Sequence, residues 1–114
     1  MAKIKIGEKE YNLEFSMGAA CNFETMTGKS SLDLQKFLEE SEGHIKPIAQ
    51  LGYCMLEASN KEQDVPEYRD FVGSINTIDK ITNFRKAFSQ ALIEFFGQDK
   101  SVDPDKQEDA AKNA

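Results

Sequence analysis

From Ile4 to Phe15 the large apolar residues fall on alternate positions, and this constrains the fold more than any other feature of the chain. Ile4 and Ile6 share one side, with Lys3 and Lys5 opposite. After a short turn containing Gly7, Tyr11, Leu13 and Phe15 share a side while Asn12 and Glu14 point away. Period two on both flanks of a glycine-containing turn specifies an antiparallel hairpin over residues 3–15. A lone hairpin is marginal in water, so other elements must cover its apolar face.

The alternation stops at Ser16, a residue whose hydroxyl can accept from a free amide at a helix start. The run MGAACNFETMTG then reads as a helix closed by Gly28, with Met17, Ala20, Cys21 and Phe23 as its inward stripe. KSSLDLQKFLEESEG is a second helix, capped by Ser30 or Ser31, striped by Leu34, Phe37 and Leu38, and ended by Gly43. HIKPIAQLGYCMLEASN is a third, with Pro47 tolerated in its first turn and Ile48, Leu51, Met55 and Leu56 facing inward. A polar loop, KEQDV, leads to a short helix opened by Pro66 and carrying Phe71, Val72 and Ile75. In TIDKITNFRKAFSQALIEFFG, Ile78, Ile81, Phe88, Leu92 and Phe95 form one helical stripe and Phe84, Ala91 and Phe96 a neighbouring one, with Gly97 at the end. The expected fold class is α+β: an N-terminal two-stranded β-hairpin followed by a bundle of about five α-helices, residues 1–97 forming a single unit. Residues 98–114 are polar and lack periodicity, and are expected to be a disordered tail.

Composition narrows the function. The formal net charge of −6 is unsuited to phosphate backbones and to anionic membrane surfaces. No apolar run approaches the roughly 20 residues needed to span a bilayer, and no long apolar segment follows the N-terminal lysines, so a cytoplasmic protein is expected. Cys21 and Cys54 sit singly in apolar helical runs and are expected to be buried thiols rather than a disulfide or a metal pattern.

No catalytic residue, cofactor site or metal site is expected. His44 is the sole histidine and has no nucleophile with a reason to lie beside it. Glu39, Glu40 and Glu42 lack the glycine turn and spaced oxygen ligands of a calcium loop and read as a solvated face. MTGKSS contains Gly-Lys-Ser, but a phosphate-binding loop needs glycine at position 23, which is Phe, and a strand rather than a helix leading in.

The aromatic supply is larger than one stripe demands: eight Phe and three Tyr, with Phe84, Phe88, Phe95 and Phe96 on the last helix. One reading is a wide stripe buried in a compact core. The other is that part of it forms an exposed groove or an oligomer surface. The candidate partner-binding residues are these four rings with Met55 and Tyr53 as neighbours, at most two of the four rings being surface-accessible.

The segment IKIGEKEYNLEFSMGAACNFETMTGKSSLDL resembles the start of the small tail assembly chaperones of long-tailed bacteriophages and prophages. In that family a hairpin of the type xIxIGGKEYxLxF leads into a helix of the type TxGAxxxFExxTGxx. Ile4, Ile6, Gly7, Lys9, Glu10, Tyr11, Leu13 and Phe15 match the first, and Gly18, Ala19, Phe23, Glu24, Thr27 and Gly28 the second. Met17 stands where the family has Thr or a hydrophobe. Beyond this segment the likeness is one of helix order and length. The resemblance implies a non-enzymatic protein of the bacterial host cytoplasm. It would bind apolar helical segments of the tape measure protein, help recruit tail tube subunits and be absent from the mature virion. A homo-oligomer and a frameshifted longer product are compatible with it. Two rival readings carry the same architecture, a small bacterial protein-interaction module and a structural tail component; an enzyme would need a site drawn from Tyr11, His44 and scattered Glu and Lys residues.

Overall fold

The computed structural model describes residues 2–97, and the polar segment 98–114 lies outside them. Strands β1 (Lys3–Ile6) and β2 (Lys9–Asn12) pair antiparallel, with Ile4 opposite Tyr11 and Ile6 opposite Lys9. Gly7 makes the turn at φ 64°, a left-handed conformation that costs glycine little. Five helices follow: α1 (Met17–Thr27), α2 (Leu34–Ser41), α3 (Lys46–Ser59), α4 (Tyr68–Ser74) and α5 (Ile78–Phe96). The fold is therefore α+β, a hairpin and five helices around one contiguous apolar cluster.

The paired part of the hairpin is shorter than the alternation in sequence. Leu13 to Phe15 leave the ladder after the Leu13 amide donates to the Ala2 carbonyl at 2.9 Å. The alternation nevertheless persists, since Tyr11, Leu13 and Phe15 are all buried. In place of a third strand, the end of α3 holds the outer edge of β2. The Asn60 side chain accepts from the Asn12 amide at 2.9 Å and donates to the Asn12 carbonyl at 2.8 Å. Its second N–H donates to the Leu56 carbonyl at 2.8 Å, and Gln63 donates to its oxygen at 3.2 Å. One residue further, the Ser59 hydroxyl accepts from the Glu14 amide at 2.9 Å.

Helix α1 is capped as its sequence demands. The Ser16 hydroxyl accepts from the Ala19 amide at 3.2 Å, and Gly28 closes the helix at φ 74°, donating to the Glu24 carbonyl at 2.7 Å. Its buried face differs from the expected one: Ala19, Ala20 and Phe23 are buried, whereas Met17 is 59% exposed and Cys21 is exposed. The small residues let α1 lie close against α3, where Gly18 faces Ala58, and the Phe23 ring sets the phase of the contact. Cys54, by contrast, is buried as expected.

Helix α2 begins later than Ser30 or Ser31 because Asp33 is its cap, accepting from the Lys36 amide at 3.2 Å. Ser30 instead accepts from the Leu32 amide in the preceding turn, and Ser31 is fully buried. Phe37 packs edge-on against Phe23 with centroids 5.6 Å apart. Gly43, at φ 77°, turns the chain beyond the helix end.

Helix α3 carries Pro47 in its first turn and runs through the middle of the molecule. Ala49 and every residue from Leu51 to Leu56 are buried, a wider face than the expected stripe, and Ile48 is half-buried. Gly52 is where α5 comes closest, since a Cβ there would lie 2.6 Å from the Phe84 ring. Pro66 precedes α4 by two residues instead of opening it. Phe71 is buried, Ile75 half-buried and Val72 exposed.

Helix α5 is capped by Thr77, whose hydroxyl accepts from the Lys80 amide at 3.1 Å. It buries Phe84, Ala87, Phe88, Ala91 and Leu92. Ile78 is 81% exposed and Ile81 37%, contrary to the expected inward stripe. The 19 residues of α5 against the 14 of α3 make α5 longer by about 7.5 Å.

Candidate interaction surface

The rings of the molecule form two groups. The first is a buried ladder through the core. Tyr68 meets Tyr53 at 5.4 Å, Tyr53 meets Phe71 at 5.5 Å, Phe71 meets Phe84 at 5.7 Å and Phe84 meets Phe88 at 5.9 Å, between centroids. These spacings are those of edge-on and tilted aromatic pairs, which add to the energy of burial. Tyr53 donates its hydroxyl proton to the Pro66 carbonyl at 2.7 Å, tying α3 to the approach to α4. Burial, followed by the nearby carboxylates of Glu57 and Glu67, pushes the Tyr53 phenol above its ordinary range. The adjacent Cys54 thiol is pushed up to about 11, first by burial and then by Glu57, which keeps it neutral and unreactive.

The second group lies at the far end of α5. Phe15 meets Phe95 at 4.8 Å and Phe96 at 5.1 Å, and the last two rings are 4.9 Å apart. Phe15 is buried, Phe96 half-buried, and Phe95 is 46% exposed. The six residues singled out in the sequence therefore divide. Phe84, Phe88, Met55 and Tyr53 are interior, and Phe95 and Phe96 reach the surface. Phe15, expected only as a core residue of the hairpin, is the third ring of the surface group. The alternation that buries it gave no sign that α5 would end against it.

Two grooves flank α2. One, of about 680 Å³, runs between α1, α2 and the start of α3 and is lined by Phe23, Met26, Phe37 and Pro47 with Lys29, Lys36 and Lys46. The other, of about 920 Å³, lies between α2, α3 and α5 and is lined mainly by Leu38, Ile45, Ile48 and Ile81, with Glu39, Glu42 and Arg85. Neither groove touches the six residues. His44 borders the second groove and is exposed. Among the described residues no three His, Cys, Asp or Glu side chains are gathered to hold a metal ion. No helix among them is long and apolar enough to cross a membrane. No family model matches the chain, and no curated protein and no solved structure is significantly similar to it.

Proposed function

We propose that this protein is a tail assembly chaperone of a long-tailed bacteriophage or prophage. It acts by binding rather than by catalysis, in the cytoplasm of the bacterial host. Its partner is the tape measure protein, whose apolar helical segments it keeps soluble while tail tube subunits assemble, and it is absent from the finished virion. The observation that carries this reading is the resemblance of Ile4–Gly28 to the opening of that family. Its matched positions have consistent physical roles here: Gly7 at the turn, Tyr11, Leu13, Phe15, Ala19 and Phe23 in the core, and Gly28 at a left-handed helix end. The exposed Phe95, backed by Phe15 and Phe96, supports binding to an apolar helix, because large rings at a surface supply most of the energy of such contacts.

The test is co-expression with the tape measure protein of the same phage or prophage, followed by pull-down and a solubility assay. The chaperone should raise the soluble fraction of its partner, and Phe95→Glu should lose that effect while the circular dichroism spectrum stays unchanged. Mass spectrometry of purified particles should find the tape measure protein without this chain. Recovery of the chain in finished particles would favour a structural tail component and overturn the chaperone reading.

A further inference from the structure

Helix α2 is held to the molecule by apolar packing, without a hydrogen bond to another element among the described residues. The hairpin is held to α3 by Asn60 and Ser59 and to α5 by the Ala2 amide, which donates to Glu94 at 3.3 Å. The approach to α4 is held by Tyr53. Between residues 29 and 45, the hydrogen bonds among the described residues each span four positions or fewer. The Lys29 amide reaches Thr27, the Leu32 amide reaches Ser30, the Lys36 amide reaches Asp33, and the Ser41 hydroxyl reaches the Phe37 carbonyl. No ion pair joins this stretch to the rest of the described residues. The Ser31 hydroxyl, fully buried, has no partner among the described residues. Apolar packing, led by Phe37 against Phe23 and by the half-buried Leu38, is what holds the segment down. Left-handed glycines stand on either side of it, Gly28 at φ 74° and Gly43 at φ 77°. Grooves of about 680 and 920 Å³ run along its two flanks, so little else covers it.

We propose that α2 is an internal placeholder: it occupies, and can vacate, a seat on α1, α3 and α5 that takes an amphipathic helix. The occupant is defined by what already sits there. The sequence of α2 sets large apolar residues at i, i+3 and i+4 (Leu34, Phe37, Leu38), the spacing by which a helix presents one face to a groove. The guest is therefore a helix with that spacing and an aromatic ring at the position of Phe37, where it meets Phe23. When α2 swings out about Gly28 and Gly43, the two grooves merge into one trough floored by Phe23, Met26, Pro47, Ile48 and Ile81. The Ser31 hydroxyl then regains water, and no hydrogen bond between elements is broken. Local opening of an element held by few contacts is the expected low-energy fluctuation of a native protein, and a ligand that binds the open form shifts its population. This seat lies apart from the Phe95 surface of the proposed function and stands independently of it.

The test uses the full chain and a fluorescein-labelled peptide of residues 31–44, with no tape measure protein, so its outcome is separate from that of the chaperone assay. Phe37→Asp should release the tethered helix and leave the far-ultraviolet signal of the remaining helices in place. The peptide should then bind this variant at least tenfold more tightly than the unaltered chain, and a peptide carrying Phe37→Ala should not bind. Native-state hydrogen exchange of the unaltered chain should give the α2 amides one shared opening free energy, below that of α1 and α3 and dependent on urea. Equal or absent peptide binding to both proteins would overturn the proposal. So would unfolding of the whole chain by Phe37→Asp, or α2 amides as protected as those of α3.

Discussion

Replacing Asn60 by Ala tests whether a single side chain serves as the third strand of the sheet. Asn60 is 6% exposed and uses its full amide capacity on Asn12, Leu56 and Gln63. Two of these bonds, to the Asn12 amide and carbonyl, join the hairpin to α3 across 48 positions. A hydrogen bond contributes a net ~0.5–1.5 kcal/mol, and more is lost when a buried partner stays unpaired. The two together are worth ~1–3 kcal/mol, and the half-buried Asn12 recovers only part of this from water. For a folded unit of this size that corresponds to a fall in Tm on the order of 5–20 °C. Urea unfolding followed at 222 nm should show a lower midpoint with the same slope. Faster exchange of the Asn12 amide should place the loss at the hairpin. Asn60→Asp sharpens the test, because a carboxylate can still accept from the Asn12 amide but repels the Asn12 carbonyl. It should destabilise at least as much as Asn60→Ala. A midpoint unchanged in Asn60→Ala, or restored in Asn60→Asp, would refute the clamp.

Three further expectations follow from the packing. Gly52→Ala gains about 1 kcal/mol of helix propensity, but its Cβ falls 2.6 Å from a Phe84 ring confined between Phe71 and Phe88. Overpacking costs ~1–3 kcal/mol, so the variant should be less stable by urea titration, and Phe84→Leu in the same chain should recover part of the loss. Gly28→Val forces a β-branched residue to φ 74° and should cost ~1–3 kcal/mol in a thermal melt. Burial raises the Cys54 thiol from 9.0 to about 11, so the neutral thiol stabilises the fold fully below pH 9 and that stability is lost as pH rises from 9 towards 11. The loss is on the order of 1–3 kcal/mol, and the urea midpoint of Cys54→Ala should fall less steeply than that of the unaltered chain between pH 8.5 and 11.

Much of this fold obeys rules that act within a few residues, and those parts were legible without the structure. The turn at Gly7, the cap at Ser16, the stop at Gly28 and the start of α3 at Pro47 each depend on one residue's backbone freedom or its reach to a nearby amide. Period two over 4–15 and period 3.6 over 78–96 named the elements and most of their apolar residues. What periodicity could not tell was how many neighbours each helix would have. Helix α3 is surrounded, so Tyr53, outside its expected stripe, became core, while Ile78 and Ile81 near the start of α5 are exposed. In α1, alanines at 19 and 20 allowed a closer approach than Met17 and Cys21 would have, and the helix turned accordingly. The clamp at Asn60 pairs residues 48 positions apart, and nothing local to Asn60 distinguishes it from an ordinary polar residue at a helix end. The same holds for the surface rings. The sequence by itself determined that the last helix carries four phenylalanines, because composition and spacing are local. Only the tertiary structure decided that Phe84 and Phe88 are enclosed while Phe95 reaches solvent beside Phe15, because burial depends on what the rest of the chain brings alongside.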